Sequence, residues 1–180
     1  IPFGVLFGKL RGVDVQTQGS GNIGATNVAR TVGKKIAIIV LLLDAGKGAA
    51  PLLALRWLGW PATDAAWAVI PLGLAPILGH CFSPWLRLRG GKGVATSLGV
   101  IAAADIRLAG IAAASFALVY AAFRVASIAS LTSATVVAVL FWLIGPGTMS
   151  AWMMSGALAV VVIQHRGNIR RILGQSELKV

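Results

Sequence analysis

Residues 35–58 read KIAIIVLLLDAGKGAAPLLALRWL, and this stretch decides the fold class of the chain. It is long enough to cross a bilayer as a helix, which requires about 20 mostly apolar residues. Its ends carry Lys35 and Arg56, and only Asp44 and Lys47 bring charge into its interior. Because an ion pair inside a membrane is costly, this pair is either functional or a buried brace.

The rest of the chain has the same apolar character. Of its 180 residues 57% are hydrophobic and 12% are charged, and the mean hydropathy is +0.85, whereas soluble domains carry about 25% charged residues. We therefore predict an all-α integral membrane protein of one domain, residues 1–180, with seven transmembrane helices. Several of these helices are short, and the first is expected to be truncated at its N-terminal end. The predicted spans are about 1–10, 35–58, 65–78, 94–104, 108–123, 127–144 and 150–164.

The basic residues predict the orientation of these spans, since loops rich in Lys and Arg stay in the cytoplasm. With seven spans, 13 of the 16 basic residues fall on one side, whereas Arg56 and Arg107 fall on the other. The N-terminus is thus predicted outside and the C-terminus in the cytoplasm of a bacterial inner membrane. The larger set is Lys9, Arg11, Arg30, Lys34, Lys35, Arg87, Arg89, Lys92, Arg124, Arg166, Arg170, Arg171 and Lys179.

The formal net charge of +11 raises the question of what the protein binds. A nucleic-acid partner is not expected, because the basic residues lie between long apolar runs and not on a soluble fold. Membrane lipids and anionic ligands fit this pattern better. The single cysteine, Cys81, excludes an intrachain disulfide and a cysteine-based metal site. His80 and His165 lie far apart with few acidic neighbours, so no metal and no cofactor are expected.

The first unusual loop is residues 19–30, GSGNIGATNVAR. It matches G-x-G-x-x-G formally, but no apolar strand precedes it, which argues against a dinucleotide site. Its glycines instead allow backbone amides to approach an anion, and Arg30 adds a planar fork suited to phosphate. A solvated turn with a helix cap is the alternative. The predicted anion-binding residues are Gly19, Ser20, Gly21, Asn22, Gly24, Thr26, Asn27 and Arg30.

The second unusual loop is residues 79–96, GHCFSPWLRLRGGKGVAT. Its glycine spacing is not that of a Walker loop. Gly90, Gly91 and Lys92 nevertheless open an apolar helix, where backbone amides, the helix N-terminus and an ammonium group predict a phosphate cradle. Arg87 and Arg89 are interpreted as ordinary membrane anchors.

The third loop, residues 165–174, HRGNIRRILG, follows the last span. His165 and Asn168 share one helical face if the helix continues past the span. Ser127 and Ser130 begin the sixth span, where serines serve as helix caps or as donors to an anion. Ser130 is the better candidate for the second role.

Together these loops resemble the bacterial acyl-phosphate:glycerol-3-phosphate acyltransferase family (the PlsY family). The matching segments are 19–27, 44–48, 79–80, 89–96 and 165–169, and the likeness covers nearly the whole chain. The resemblance implies a seven-helix enzyme that moves a fatty acyl group from acyl phosphate to glycerol 3-phosphate. The products would be lysophosphatidic acid and inorganic phosphate, in the first step of phospholipid synthesis. The donor would come from a functionally coupled enzyme that produces acyl phosphate.

The resemblance also implies that Ser20 binds phosphate and is not itself acylated. We predict Ser20, Arg30, Lys92 and His165 as catalytic residues that meet at the cytoplasmic membrane face. Either His165 or a substrate phosphate oxygen takes the hydroxyl proton, and we favour the phosphate. A transporter of anionic solutes is the main rival and a structural scaffold the second. The chain shows no inverted repeat of the kind many transporters have.

Overall fold

The computed structural model describes residues 1–59, 66–174 and 176–177, and within them the regular structure is helical. Two single turns of 3-10 helix, Ala66–Ala68 and Pro84–Leu86, accompany nine α-helices. The α-helices are α1 (Phe3–Leu10), α2 (Ala25–Thr31), α3 (Lys34–Trp57), α4 (Val69–Cys81), α5 (Val94–Ala104), α6 (Ile106–Phe123), α7 (Ala126–Ile144), α8 (Met149–Gln164) and α9 (Arg166–Leu173).

Each of the seven predicted spans contains one of these helices, with boundaries that agree to within a few residues. Among the described residues, four segments are long and apolar enough to cross a membrane: α3, α4 with the turn that follows it, α6 and α7. Helices α5 and α8 are apolar but shorter. The predicted start of the third span at residue 65, and Lys179 of the basic set, lie outside the described residues. Helices α2 and α9 were not expected as separate elements.

The outer faces of the long helices are apolar. Leu42, Leu118 and Leu143 are 64%, 72% and 73% exposed, respectively. Contact with water would be unfavourable for such side chains by about 25 cal/mol for each Å² of apolar surface, whereas contact with lipid tails is not. This surface is that of a protein embedded in a membrane.

The turns that separate consecutive helices are short and have local causes. Asp105 has an extended backbone, and its Oδ1 accepts a hydrogen bond from the amide of Arg107 at 2.8 Å, which caps α6. The same carboxylate pairs with the Arg107 guanidinium at 2.7 Å. Between α6 and α7, Arg124 adopts a left-handed conformation with φ 56°. Each of these two turns ends one helix and sets the direction of the next.

Helices α3 and α5 approach each other most closely at two glycines. A Cβ on Gly48 would collide with the carbonyl of Thr96, and one on Gly99 would collide with the carbonyl of Ala45. Small residues are how membrane helices gain van der Waals contact, because lipid supplies no hydrophobic drive for their association. The crossing fixes α5, and with it the loop that precedes α5, against α3.

The glycine-rich first loop has an apolar base. Val15, Ile23 and Val28 are 0–2% exposed and pack in one cluster with Val40 of α3. The loop between α1 and α2 is therefore pinned to the beginning of the longest helix. Its polar side chains can then occupy defined positions above that base.

Candidate active site

A cavity of about 290 Å³ lies where the three unusual loops meet. Its wall includes residues from the first loop and α2, from the start of α5, from α6 and α7, and from the junction of α8 and α9. Ten of the predicted site residues line it: Ser20, Asn22, Gly24, Thr26, Asn27, Arg30, Lys92, Ser130, His165 and Asn168. The structure thus brings together three motifs that are far apart in the chain. Gly19, Gly21, Gly90 and Gly91 are not part of the wall and lie beside it in the chain.

The side chain of Asn27 holds the first loop in shape. Its Nδ2 donates to the carbonyls of Val15 and Gln18 at 2.9 and 3.1 Å. Its Oδ1 accepts from the amide of Ser20 at 2.8 Å. Asn27 is 1% exposed. Its amide group is therefore engaged by the loop, and its main effect is to fix the backbone of Ser20.

Two glycines of this loop have conformations that other residues rarely adopt. Gly19 and Gly21 have φ values of +61° and +69°. Asn22 Oδ1 accepts from the amide of Gly24 at 2.7 Å and forms a small turn before α2. These glycines shape the loop around Ser20 because they turn the chain at positive φ, where a side chain would be strained.

The second loop is held by the end of α4. The amides of Gly90 and Gly91 donate to the carbonyls of Cys81 and His80, each at 3.0 Å. These two amides are therefore engaged within the protein and not free for an anion, which differs from the predicted cradle. Lys92 follows them on this fixed backbone and lines the cavity wall. Gly93, at φ +80°, then begins α5.

Lys92 lies on the cavity wall together with a second cation, Arg30. Burial lowers the pKa of Lys92 to about 8. Glu177 opposes this shift, whereas the positive charges of Arg171 and Arg30 add to it. Three cationic groups thus act on one small polar region. A bound phosphate would relieve their repulsion and keep Lys92 protonated.

His165 is 2% exposed and presents one ring nitrogen to the site. Its Nδ1 lies 2.8 Å from the carbonyl of Val161. Because a carbonyl can only accept, Nδ1 carries the hydrogen and Nε2 has the free lone pair. Burial lowers the pKa of His165 to about 4; the Val161 hydrogen bond and Glu177 oppose this, and Lys92 adds to it. At neutral pH the ring is therefore an uncharged acceptor.

Glu177 is a cavity residue that the sequence did not single out. Its carboxylate accepts from Ser127 Oγ at 2.9 Å, from Arg171 Nε at 2.7 Å and from Asn168 Nδ2. Burial would raise the pKa of Glu177, and these hydrogen bonds outweigh it, so that the pKa is lowered. One feature of the sequence could have marked Glu177 as a site candidate: it is the only acidic residue after Asp105. Ser127, the weaker of the two serine candidates, thus has an identified partner.

Two further titratable side chains on the wall belong to residues within long helices and not to the loops. Asp44 of α3 and His80 of α4 both line the cavity, although neither was predicted as a site residue. Ser130 Oγ donates to the carbonyl of Ala126 at 2.8 Å and also faces the cavity. Arg87 and Arg89 are exposed and lie outside the wall, in line with their interpretation as anchors.

Much of the remaining wall is apolar and comes from α5, α6 and α7, with Leu98, Ile101 and Phe116 among its side chains. Ser97 and Ser133 are polar exceptions on the same helices. The same cavity thus offers cationic side chains for anionic groups and apolar side chains for a hydrocarbon chain. The residues that the structure describes contain no cluster of three metal-ligand side chains.

Comparison with known proteins gives a consistent result. A family model described as glycerol-3-phosphate acyltransferase matches residues 1–175. A glycerol-3-phosphate acyltransferase of Anaeromyxobacter sp. (strain Fw109-5) is 44% identical, with 100% of this chain and 90% of that protein covered. One from Myxococcus xanthus (strain DK1622) is 46% identical, with 98% and 91% covered.

Two solved structures have the same fold. They are crystal structures of PlsY (YgiH), an integral membrane glycerol 3-phosphate acyltransferase. The glycerol 3-phosphate form gives a TM-score of 0.92 at 35% identity and covers 100% of this chain and 88% of the other. The lysophosphatidic acid form gives 0.90 at 35% identity, with 99% and 88% covered.

The helices, the cavity and these likenesses define a multi-pass integral membrane acyltransferase. The chain belongs to the glycerol-3-phosphate acyltransferase family, as the resemblance of its three loops predicted.

Proposed function

We propose that this protein transfers a fatty acyl group from acyl phosphate to glycerol 3-phosphate and forms lysophosphatidic acid and inorganic phosphate. The observation that carries the proposal is the cavity itself. Ser20, Arg30, Lys92 and His165 come from three separate loops and line one cavity, much of whose remaining wall is apolar. Both proposed substrates carry phosphate, and the donor also carries a hydrocarbon chain.

In the proposed reaction the protein mainly has to position the two substrates and stabilise the charge of the departing phosphate. A glycerol hydroxyl oxygen attacks the acyl carbonyl carbon, and the bond from that carbon to the phosphate oxygen breaks. The phosphate departs with the bonding electrons. Arg30 and Lys92 stabilise the charge that it carries away, and the loop around Ser20 holds it in place. No covalent acyl-enzyme is required, because acyl phosphate is already activated.

A phosphate oxygen is the better candidate for the proton acceptor. A base with a pKa of about 4, as His165 has, is weak at neutral pH. A phosphate monoester has a second pKa of about 6 and is already in the site. His165 Nε2 can still accept a hydrogen bond from the glycerol hydroxyl and orient it. We therefore assign His165 and Asn168 to the orientation of glycerol 3-phosphate.

We further propose seven crossings, with the N-terminus outside and the C-terminus in the cytoplasm of a bacterial inner membrane. The basic residues support this orientation, since 13 of 16 would face the cytoplasm. The site would then face the cytoplasm, where an enzyme that produces acyl phosphate can supply the donor.

The proposal is tested with purified protein in detergent, supplied with glycerol 3-phosphate and either acyl phosphate or acyl-CoA. We expect equal amounts of inorganic phosphate and lysophosphatidic acid with acyl phosphate, and no product with acyl-CoA. Turnover with acyl-CoA alone would refute the proposed donor. Passage of glycerol 3-phosphate into liposomes without turnover would favour a transporter.

A further inference from the structure

Three side chains within the membrane helices form a charged cluster behind the second loop. Lys47 Nζ donates to Asp44 Oδ1 at 2.5 Å and contacts His80 Nδ1 at 2.8 Å. His80 Nδ1 also lies 3.6 Å from Asp44 Oδ1. Asp44 and His80 are 1% and 6% exposed. The cluster, which we call the charged brace, thus connects α3 to α4.

The brace also reaches α1. Lys47 Nζ donates to the carbonyl of Ile1 at 3.1 Å and lies 5.5 Å from the centre of the Phe3 ring. An ammonium group has only donors, so His80 Nδ1 must accept from it. A neutral His80 ring then carries its hydrogen on Nε2, and Lys47 sets the orientation of the ring.

His80 is in direct contact with the second loop. Its carbonyl accepts from the amide of Gly91 at 3.0 Å. Its ring lies so close to Gly91 that a Cβ at that position would overlap Nε2. Gly91 immediately precedes Lys92. A shift of the His80 ring towards Gly91 would therefore displace the backbone that carries Lys92.

Two features distinguish the brace from an ion pair that only joins helices. Asp44 and His80 form part of the cavity wall beside Lys92. In addition, Asp44 Oδ2 is buried and has no hydrogen-bond partner among the described residues. Buried charge inside a membrane is expensive, and an apolar contact would connect the helices at lower cost. The position of the brace on this wall therefore favours a role in the reaction over helix association alone.

We propose that Asp44, Lys47 and His80 are positioning residues for acyl transfer: Lys47 and Asp44 fix the His80 ring, and His80 fixes Gly91 so that Lys92 faces the phosphate. This inference rests on the proposed function of the same cavity. It combines the two interpretations that the sequence allows for Asp44 and Lys47. The pair braces α3 against α4 by its contacts, and through His80 it also positions Lys92 for the reaction.

The test is a double-variant cycle between His80 and Lys92. His80→Phe keeps a ring against Gly91 but removes the acceptor for Lys47. At equal amounts of folded protein, we expect kcat/KM for acyl phosphate to fall about ten- to a hundredfold, as a small misplacement of a catalytic group does. In a Lys92→Ala background, the same change should add less than about threefold, because its target is already absent.

A matched control separates positioning from general destabilisation. Ser155→Ala removes a half-buried polar contact, the hydrogen bond from Trp142 Nε1 at 2.9 Å, between residues that are not part of the cavity wall. Its thermal midpoint should fall, whereas activity per folded molecule should stay within about threefold of wild type. If His80→Phe behaves like this control, or if it costs the same factor with and without Lys92, the inference is wrong. Should His80→Phe not fold, His80→Asn enters the same cycle.

Failure of the proposed function would look different. A wild-type protein with no turnover of acyl phosphate refutes the function and not the brace. The same set of variants is then compared by the increase in thermal midpoint that bound inorganic phosphate produces. His80→Phe should reduce this rise in the presence of Lys92 and leave it unchanged in Lys92→Ala. An equal reduction in both backgrounds would overturn the inference.

Discussion

Single residues carry most of the expected activity, and Lys92 is the most sensitive of them. Lys92→Ala removes a full charge from a partly desolvated site, which costs about 2 to 4 kcal/mol, or roughly thirty- to a thousandfold in rate. Lys92→Arg keeps the charge in another shape and should restore activity only in part. Steady-state phosphate release at equal folded protein measures both. The exposed Arg87→Ala and Arg89→Ala are the controls, and a larger loss in either would contradict the assignment.

The pH dependence should report the same lysine. Lys92 has a pKa of about 8 in the empty protein, so it is a cation below that pH and neutral above it. The value of kcat/KM, which reflects the free enzyme, should therefore fall as the pH rises through about 8. In Lys92→Arg the fall should move to higher pH, because a guanidinium keeps its proton. An unchanged profile in that variant would assign the titration to another group.

His165 allows the identity of the base to be tested. His165→Gln can place an amide oxygen near the position of Nε2, whereas His165→Ala cannot. If the ring only orients the glycerol hydroxyl, His165→Gln should keep kcat within about tenfold and raise KM for glycerol 3-phosphate. If the ring is the base, both variants should lose kcat by about a hundredfold or more. Saturation kinetics of the two variants decide between these outcomes.

At the scale of elements, the crossing of α3 and α5 is the feature most sensitive to size. Gly48→Ala introduces a methyl group where the Thr96 carbonyl lies, and overpacking of this kind costs about 1 to 3 kcal/mol. Gly46, two residues earlier on the same helix, has open space around it. Gly46→Ala should therefore be neutral or slightly stabilising. Thermal midpoints in detergent compare the two, and equal midpoints would show that the crossing can relax.

Elements were easier to predict from the sequence than the contacts between them. The apolar runs predict a helix in each of seven segments because a membrane requires long apolar segments, and the structure has a helix in each. The three glycine-rich loops stand out against these runs. The role of Asn27 could not be predicted, because nothing in the sequence marks Val15 and Gln18 as its hydrogen-bond partners. Glu177 and His80 were missed for the same reason. Each is a single titratable residue whose partners become neighbours only in the folded chain.

For the whole molecule, the orientation of the bundle is the prediction to test. In a Cys81→Ser background, Arg107→Cys and Arg89→Cys place one thiol at each proposed face; the side chains of Arg107 and Arg89 are both exposed. An impermeant maleimide added to intact spheroplasts should label only the Arg107→Cys protein. The Arg89→Cys protein should react only after the membrane is opened. The reverse pattern would invert the proposed topology.

The shortness of α5 has a consequence for the surrounding lipid. Its 11 residues make a helix about 16 Å long, roughly half the thickness of a bilayer core of about 30 Å. The two ends of α5 cannot both reach the surfaces of an undistorted bilayer. If α5 crosses the membrane as proposed, either the bilayer thins around the protein or one end of α5 lies below the plane of the lipid headgroups. Where the bilayer thins at the Lys92 end, the headgroup of the proposed donor comes closer to Lys92, so the proposed activity should depend on the thickness of the surrounding membrane.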